Sequence, residues 1–493
     1  MTALSRWLLA LGGGVVWGLC FGEHSWLFVP WVALVPLILL LGQPRSAALG
    51  WAFGMGFWVT SILWIVPTVE THGHLAGWLA VLGLLALASY LALFTGLFAG
   101  VGSVLWRRES PLTLLGLPAL WVTVEWFREH LFSGFPWNLA AYTWIDLPGA
   151  LPLAAWVGPH GVTFLLVLAN TAVALAVRRR RWQGAMATVG AILLLLGTAG
   201  RWATSSLTVS DGDPLAVKIL QPNIGILPEW DAAIIEAQYQ EIFQMSVEAC
   251  SQPGTLLIWP ESAAWPFSYS RDDRLRRDLE QLVAAGCPVL INTSMSGENG
   301  VFNSVLLIDG DGIRGRYDKR HLVPFGEYVP MSGWLPFLDK IARSAGDFLS
   351  GSDGVLLESG GAHLAPAICF EITFPQEVAA QVRQGGTILL TVTNDSWYGD
   401  SWAPWQHFRA ARFRAAENGR YLLRAAITGV SAVVEPDGSV QQQLGVFEEG
   451  VLAASVPSIT GLTPYTRVPW LIPVFCLIIA AFAILRGRKG ATP

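Results

Sequence analysis

The order of apolar and polar positions divides the chain into two kinds of segment. Residues 1–203 read as one apolar run after another, 214–457 carry ordinary polar content, and a last apolar run follows. A membrane-crossing helix needs about 20 mostly apolar residues. Eight candidate spans are expected, at roughly 7–22, 26–42, 48–68, 76–105, 112–130, 160–177, 184–203 and 467–486. The first lacks a small-x-small cleavage site and runs straight into the second, so it reads as a retained helix and not as a signal peptide.

From Leu215 the pattern changes to short β-rich runs: "LAVKILQPN", "TLLIWPES", "CPVLINTS", "FNSVLLIDG", "LAPAICFE", "TILLTVTND", "YLLRAAITG" and "VSAVVEPDG". Between several of them, stretches such as 231–250 and 271–286 repeat apolar residues at three and four, which predicts helix. Strands alternating with helices or long loops predict a layered α/β domain. Many of these strands are apolar throughout, as expected when both faces are covered. The expected organisation is a membrane domain of seven spans over 1–213, a catalytic domain over 214–457, and a final span with a basic cytoplasmic tail over 458–493.

Composition agrees with that division. The chain is 53% hydrophobic and 14% charged, where a soluble protein is about a quarter charged. A net charge of −5 gives no reason to expect a nucleic-acid partner. Basic residues set the orientation. With a cytoplasmic N-terminus, that side receives Arg6, Arg45, Arg107, Arg108, the arginine run 178–181, Arg486, Arg488 and Lys489. The other ends of the first seven spans carry only Arg128 and Arg201. This positive-inside bias puts 214–457 outside the cytoplasm. Cysteines at 20, 250, 287, 369 and 476 show no CxxC and no regular spacing, so neither a zinc site nor a disulfide framework is expected; a Cys250–Cys287 pair is the disfavoured alternative. His72 and His74, with no carboxylate or cysteine set around them, read as loop residues near the outer interface.

Three residues near strand ends carry candidate chemistry. Glu261 follows "TLLIWP", Lys319 sits in "RYDKRHLVPFGEYVP" after the strand 303–309 and its turn, and Cys369 lies in "PAICFE". Singly they read as a solvated strand end, a surface lysine and an inert core thiol. Together they supply what a thiol nucleophile needs. An ammonium favours the thiolate, a carboxylate takes the proton, and the same ammonium stabilises an oxyanion.

"WPES", "YDK" with "HLVPFGEYVP", and "ICFE" resemble the Glu-Lys-Cys triad of the nitrilase superfamily, whose domains are αββα sandwiches. The fuller resemblance, across essentially the whole chain, is to the bacterial apolipoprotein N-acyltransferase family. Its further marks are "GFPW" (134–137), "QPNI" (221–224) with Trp230, "NDSWYG" (394–399), "WQHF" (405–408) and "TGLTPY" (460–465). The resemblance implies an acyl transfer in two steps. Cys369 takes a fatty acyl chain from a phospholipid, such as phosphatidylethanolamine, as a thioester, then passes it to the N-terminal amine of a diacylglyceryl-cysteine on an apolipoprotein. It implies Glu261 as general base, Lys319 as oxyanion stabiliser, Glu327 as a positioning or proton-handling residue or a structural ion pair, Glu371 as a shaper of the pocket, and Trp230 as part of a gating loop or as ordinary core. It implies no cofactor or metal, a monomer, and a place in the bacterial inner membrane with the catalytic domain periplasmic. One departure stands out: Phe370 replaces the family's usual Tyr, keeping the ring and losing the hydroxyl.

Glu125 and Arg128, at i and i+3 near the outer interface, are expected to pair with each other or to touch a lipid head group. Trp121, Trp126 and Trp137 suit an interfacial belt. The apolar stretches 331–338 and 400–408 are expected to dip towards the bilayer, with packing on the domain's own core as the alternative. A membrane-anchored amidohydrolase and a transporter or scaffold with an inactive domain remain the rival readings.

Overall fold

A computed structural model describes residues 1–24, 26–73, 75–107, 112–199, 207–225, 230–328, 348–352 and 354–489. The chain forms two compact units, one of Met1–Glu70, Leu75–Ser205 and Val468–Pro493, the other of Thr71–His74 and Ser206–Arg467.

The first unit is helical. Gly77–Arg107 and Ala150–Arg179 are long and apolar enough to cross a membrane, and Ser46–Ser61 with Ile65–Thr71 is a third candidate, bent by 54°. The remaining runs give shorter apolar helices, including Ala3–Leu19, Gln183–Thr198 and Leu471–Arg486. The run 26–42 is interrupted, with a 3-10 turn at Val29–Trp31 and an α-helix only over Val35–Leu40. The span expected at 160–177 begins earlier, at Ala150, and breaks at Gly158, where φ is 64° and Pro159 follows. The glycines of the first run have a packing role. A Cβ on Gly14 would lie 2.0 Å from Phe53 O, and one on Gly56 2.3 Å from Leu11 O, so Ala3–Leu19 and Ser46–Ser61 touch backbone to backbone.

Glu125 and Arg128 are buried, 3.7 Å apart, within this unit. Arg128 donates to the carbonyls of Phe135 and Trp137, both at 2.7 Å, and lies over the Trp58 ring. Glu125 accepts from Ala140 N and Thr163 Oγ1. The pair therefore serves a structural role, clamping the "GFPW" turn.

The second unit is a four-layer αββα sandwich. In chain order its strands are β1 Thr208–Val209, β2 Leu215–Gln221, β3 Leu256–Ile258, β4 Val289–Gly297, β5 Gly300–Asp309, β6 Gly312–Asp318, β7 Leu357–Ser359, β8 Ala362–Ile368, β9 Ile388–Thr393, β10 Leu422–Ala426, β11 Ser431–Val434, β12 Val440–Leu444, β13 Gly450–Val456 and β14 Ile459–Thr460. Two six-stranded sheets form, in the orders β13-β2-β3-β4-β5-β6 and β12-β11-β10-β9-β8-β7, and β1 pairs with β14. The centres are parallel (β2-β3-β4 and β8-β9-β10), which explains their uniformly apolar sequences. Alternation assigns the faces. Val217, Ile219, Leu256 and Ile258 meet Leu364, Ile368, Leu390 and Val392 between the sheets. Leu220, Leu257 and Trp259 face outward onto helices Ala232–Ala249 and Asp273–Ala284. Ala365, Ala367 and Leu389 face outward onto helices Pro375–Arg383 and Ala403–Asn418.

Two expectations change. Cys250 and Cys287 form a disulfide, with Cα atoms 6.0 Å apart and a sequence separation of 37. Sequence spacing could not reveal this pair, because the end of one helix and the start of β4 become neighbours only in the fold. In the stretch 400–408, helix Ala403–Asn418 begins, and Ala403, Gln406, His407 and Phe408 are buried in the domain, so these residues pack on its core. The stretch 331–338 and His74 lie outside the described residues.

Replacing both Cys250 and Cys287 by serine is expected to remove about 2–4 kcal/mol of stability. The readout is the thermal midpoint of the full chain under non-reducing conditions, and an unchanged midpoint would show that the crosslink adds nothing.

Candidate active site

The three candidate residues all follow strand ends. Glu261 comes three residues after β3 and Cys369 immediately after β8. Lys319 follows β6, a strand not anticipated from the sequence, where only a turn after β5 was expected. β6 hides because its residues "GIRGRYD" are polar and half-exposed at the sheet edge. Parallel strands of facing sheets end together, so this topology gathers the side chains.

Lys319 is 1% exposed. Its Nζ lies 2.9 Å from Glu327 Oε1 and 3.7 Å from Glu261 Oε1. Asn303 on β5 donates Nδ2 to both carboxylates, at 3.0 Å to Glu261 and 2.9 Å to Glu327. Asn292 on β4 fixes Asn303 through a 2.6 Å bond to its Oδ1. The second oxygen of Glu261 accepts from Asn394 N at 2.8 Å, and that of Glu327 from Val323 N at 2.9 Å. The two asparagines were missed from sequence. Their signal was a polar residue inside each of two apolar strands, "INTS" and "FNSV".

Cys369 is buried and held at φ 52°, a left-handed conformation unusual for a residue with a side chain. A short 3-10 turn, Cys369–Thr373, follows. Glu261 and Lys319 both act electrostatically on its thiol. Burial, and next the Glu261 charge, push the thiol well above its ordinary range; Lys319 offsets only part of this. The balance of these effects favours the protonated sulfur, where the sequence led us to expect the ammonium to favour the thiolate with the carboxylate taking its proton. Burial also raises Glu261, with Lys319 opposing and Glu327 adding to the rise. Burial would lower Lys319, but Glu327 and Glu261 outweigh it and hold the ammonium well above its usual range. The arrangement is a neutral thiol beside a carboxylate of raised basicity and a permanent cation.

Glu371 is a brace. It is buried and accepts from the N–H groups of Arg320 (2.7 Å), His321 (3.1 Å) and Ile368 (2.7 Å), and from Tyr317 OH at 2.9 Å. It thereby ties the chain beside Lys319 to the chain beside Cys369. Phe370 packs edge-on to Phe374 and His321, so the ring that replaces tyrosine is a packing element. Trp230 is 66% exposed, which excludes the core reading, and it stacks edge-on with Trp265, itself 61% exposed. A further buried set borders the nucleophile. Asp395 bonds Arg424 Nη2 at 2.8 Å, and His407 Nε2 lies 3.0 Å from Cys369 O. Burial would raise Asp395, but Arg424 and His407 bring it down to about 2. Burial and Arg424 lower His407.

An αββα sandwich presenting carboxylate, ammonium and thiol at its strand ends defines the carbon-nitrogen hydrolase class. The carbon-nitrogen hydrolase model matches residues 217–465, and the apolipoprotein N-acyltransferase N-terminal domain model matches 13–172. Among curated proteins, the apolipoprotein N-acyltransferase of Geobacter metallireducens is 35% identical, covering 97% of this chain and 95% of that protein. That of Pseudomonas syringae pv. tomato is 34% identical, covering 98% and 97%. A solved amidase of the nitrilase superfamily from Nesterenkonia covers 52% of this chain and 95% of its own, at 21% identity and a TM-score of 0.39. The chain belongs to the apolipoprotein N-acyltransferase family, and its relatives and apolar helices make it a bacterial membrane protein.

An amide at Glu371 would turn one acceptor oxygen into a donor facing backbone N–H groups. Glu371→Gln is expected to lower stability by about 1–3 kcal/mol and to slow Cys369 chemistry, measured as thermal midpoint and acyl-transfer rate together.

Proposed function

We propose that this protein moves a fatty acyl chain from a phospholipid, phosphatidylethanolamine in the first instance, to the N-terminal amine of a diacylglyceryl-cysteine on an apolipoprotein, through a thioester on Cys369. The observation that carries this is the placing of Lys319 between Glu261 and Glu327 with Cys369 in their field, on a chain whose full-length relatives are named apolipoprotein N-acyltransferases.

Each residue has a role that its surroundings support. As Cys369 Sγ attacks the ester carbonyl, the thiol proton passes to Glu261 and the carbonyl oxygen becomes an oxyanion facing Lys319. Collapse breaks the ester C–O bond, and Glu261 returns its proton to the departing lysophospholipid oxygen. The acceptor amine then attacks the thioester. Glu261 takes a proton from the amine, the C–S bond breaks, and the proton returns to sulfur as the amide forms. A thioester is readily attacked by an amine, so no external energy source is required. Glu327 keeps Lys319 charged and aimed, Glu371 holds the two chain segments in register, Phe370 keeps the steric part of the usual tyrosine, and Trp230 offers an exposed apolar contact for the lipid.

The reading places eight spans in the bacterial inner membrane with the catalytic domain on the periplasmic side, acting as a monomer. The bias of basic residues supports that orientation. The Cys250–Cys287 disulfide supports it independently, because such crosslinks persist in oxidising compartments.

Full-length protein mixed with phosphatidylethanolamine and a diacylated lipopeptide is expected to yield the triacylated peptide, and Cys369→Ala none. Release of free fatty acid with no triacylated peptide would favour the amidohydrolase reading. The pH profile has a defined sign. Glu261 works as a base only when ionised, so acylation should rise with pH through one ionisation lying above the usual carboxylate range. Lys319 is held above its ordinary range, so no alkaline fall from its deprotonation is expected up to about pH 10.

A further inference from the structure

Cys369 occupies a backbone conformation that costs a residue with a side chain about 1–3 kcal/mol, so its surroundings must hold it there. Three elements converge to do so. His407 lies on the helix Ala403–Asn418, Asp395 follows β9, and Arg424 lies on β10. All three side chains are buried. His407 Nε2 is 3.0 Å from the Cys369 carbonyl oxygen. A carbonyl can only accept, so Nε2 carries the proton. The other ring nitrogen lies 3.2 Å from Arg424 Nη2 and 3.1 Å from Asp395 Oδ1. Arg424 is anchored in turn by Nε to Val430 O at 3.0 Å.

The same network reaches the thiol. Thr393, the last residue of β9, lies beside the Cys369 thiol and acts on it through its side chain. Its hydroxyl also donates to Asp395 Oδ1 at 2.8 Å. Space for the Asp395 carboxylate comes from Gly429, where a Cβ would sit 2.2 Å from Oδ2. The contacts form a chain of Thr393, Asp395, Arg424 and His407 that ends on the carbonyl of Cys369.

We propose that His407 and Thr393 are positioning residues for the nucleophile, His407 fixing the Cys369 peptide through its carbonyl and Thr393 holding Asp395, and through it His407 and Arg424, in place beside the thiol. Neither touches the acyl group. Without the Nε2–H donor the strained peptide relaxes and carries the sulfur away from its base, and a shift near 1 Å is worth about a hundredfold in rate. The inference rests on the proposed function only in taking Cys369 as the nucleophile.

The test uses purified full-length protein and two readouts: the rate of Cys369 alkylation by iodoacetamide, followed by peptide mass spectrometry, and turnover with phosphatidylethanolamine and a diacylated lipopeptide. His407→Leu should slow both by about tenfold or more, the equivalent of losing one hydrogen bond to a strained group. His407→Gln should recover to within about threefold of the parent, because its amide N–H can reach the same carbonyl. Thr393→Val, nearly the same size, should slow alkylation by about threefold to tenfold with an unchanged thermal midpoint. Parent alkylation rates in both His407→Leu and Thr393→Val would overturn the proposal. So would a glutamine variant that melts like the parent yet is as slow as leucine. If His407→Leu does not fold, Thr393→Val decides alone. Alkylation is independent of acyl transfer: slowed alkylation in the variants together with an inactive parent would sink the function above and leave this inference standing.

Discussion

Lys319 carries its charge where almost no water reaches it, and it is tolerated there because Glu261 and Glu327 stand beside it. An unpaired buried ammonium costs several kcal/mol and would shed its proton. With two carboxylates in contact, the balance reverses and the cation becomes permanent. The two carboxylates are bridged by Asn303, which donates to both, and Asn303 is fixed by Asn292. Five polar side chains thus share one network, at the ends of β3 and β6, along β4 and β5, and at Glu327 beyond β6. That network also sets the state of the thiol. Lys319 favours the thiolate of Cys369, but burial and next the Glu261 charge outweigh it and push the thiol up, and burial raises Glu261 as well. In the proposed reaction, this keeps the sulfur unreactive until a carbonyl is in place.

The nucleophile itself is held by two sets of contacts that meet at one residue. Glu371 binds the N–H before Cys369 and the N–H groups after Lys319, so a single carboxylate spans the gap between β6 and β8. The Asp395–Arg424–His407 set holds the carbonyl of Cys369 from the other elements around it. A left-handed cysteine can persist because the peptide after it is held at Cys369 O and the residue before it is held at Ile368 N–H. In the helical unit the same economy of polar groups recurs. Arg128 binds backbone carbonyls of the "GFPW" turn, Glu125 binds the Ala140 N–H that follows it, and backbone contact at Gly14 and Gly56 brings two helices close.

Most of the architecture was legible because it rests on periodicity. The eight β-rich runs became strands, and the apolarity of many of them matched strands covered on both faces. The missed elements lack such a signal. β6 is polar and lies at a sheet edge, β7 has three residues, and β12 and β13 alternate too weakly to stand out. The helix Ala403–Asn418 was missed because it is buried nearly all round, so it shows no amphipathic face. Glu261, Lys319 and Cys369 were found because their chemistry is complementary. Asn303, Thr393, Asp395 and His407 were not, since their meaning depends on neighbours drawn from distant strands. The Cys250–Cys287 crosslink failed for the same reason.

The central claim is that the Cys369 sulfur, assisted by Glu261 and Lys319, carries the acyl chain. Its most direct test is intact-protein and peptide mass spectrometry after exposure to phosphatidylethanolamine with no acceptor present. An added fatty acyl mass on the peptide containing Cys369, absent from Glu261→Gln and released by a diacylated lipopeptide, is the predicted result. An unmodified Cys369 in protein that still acylates lipopeptide would contradict it.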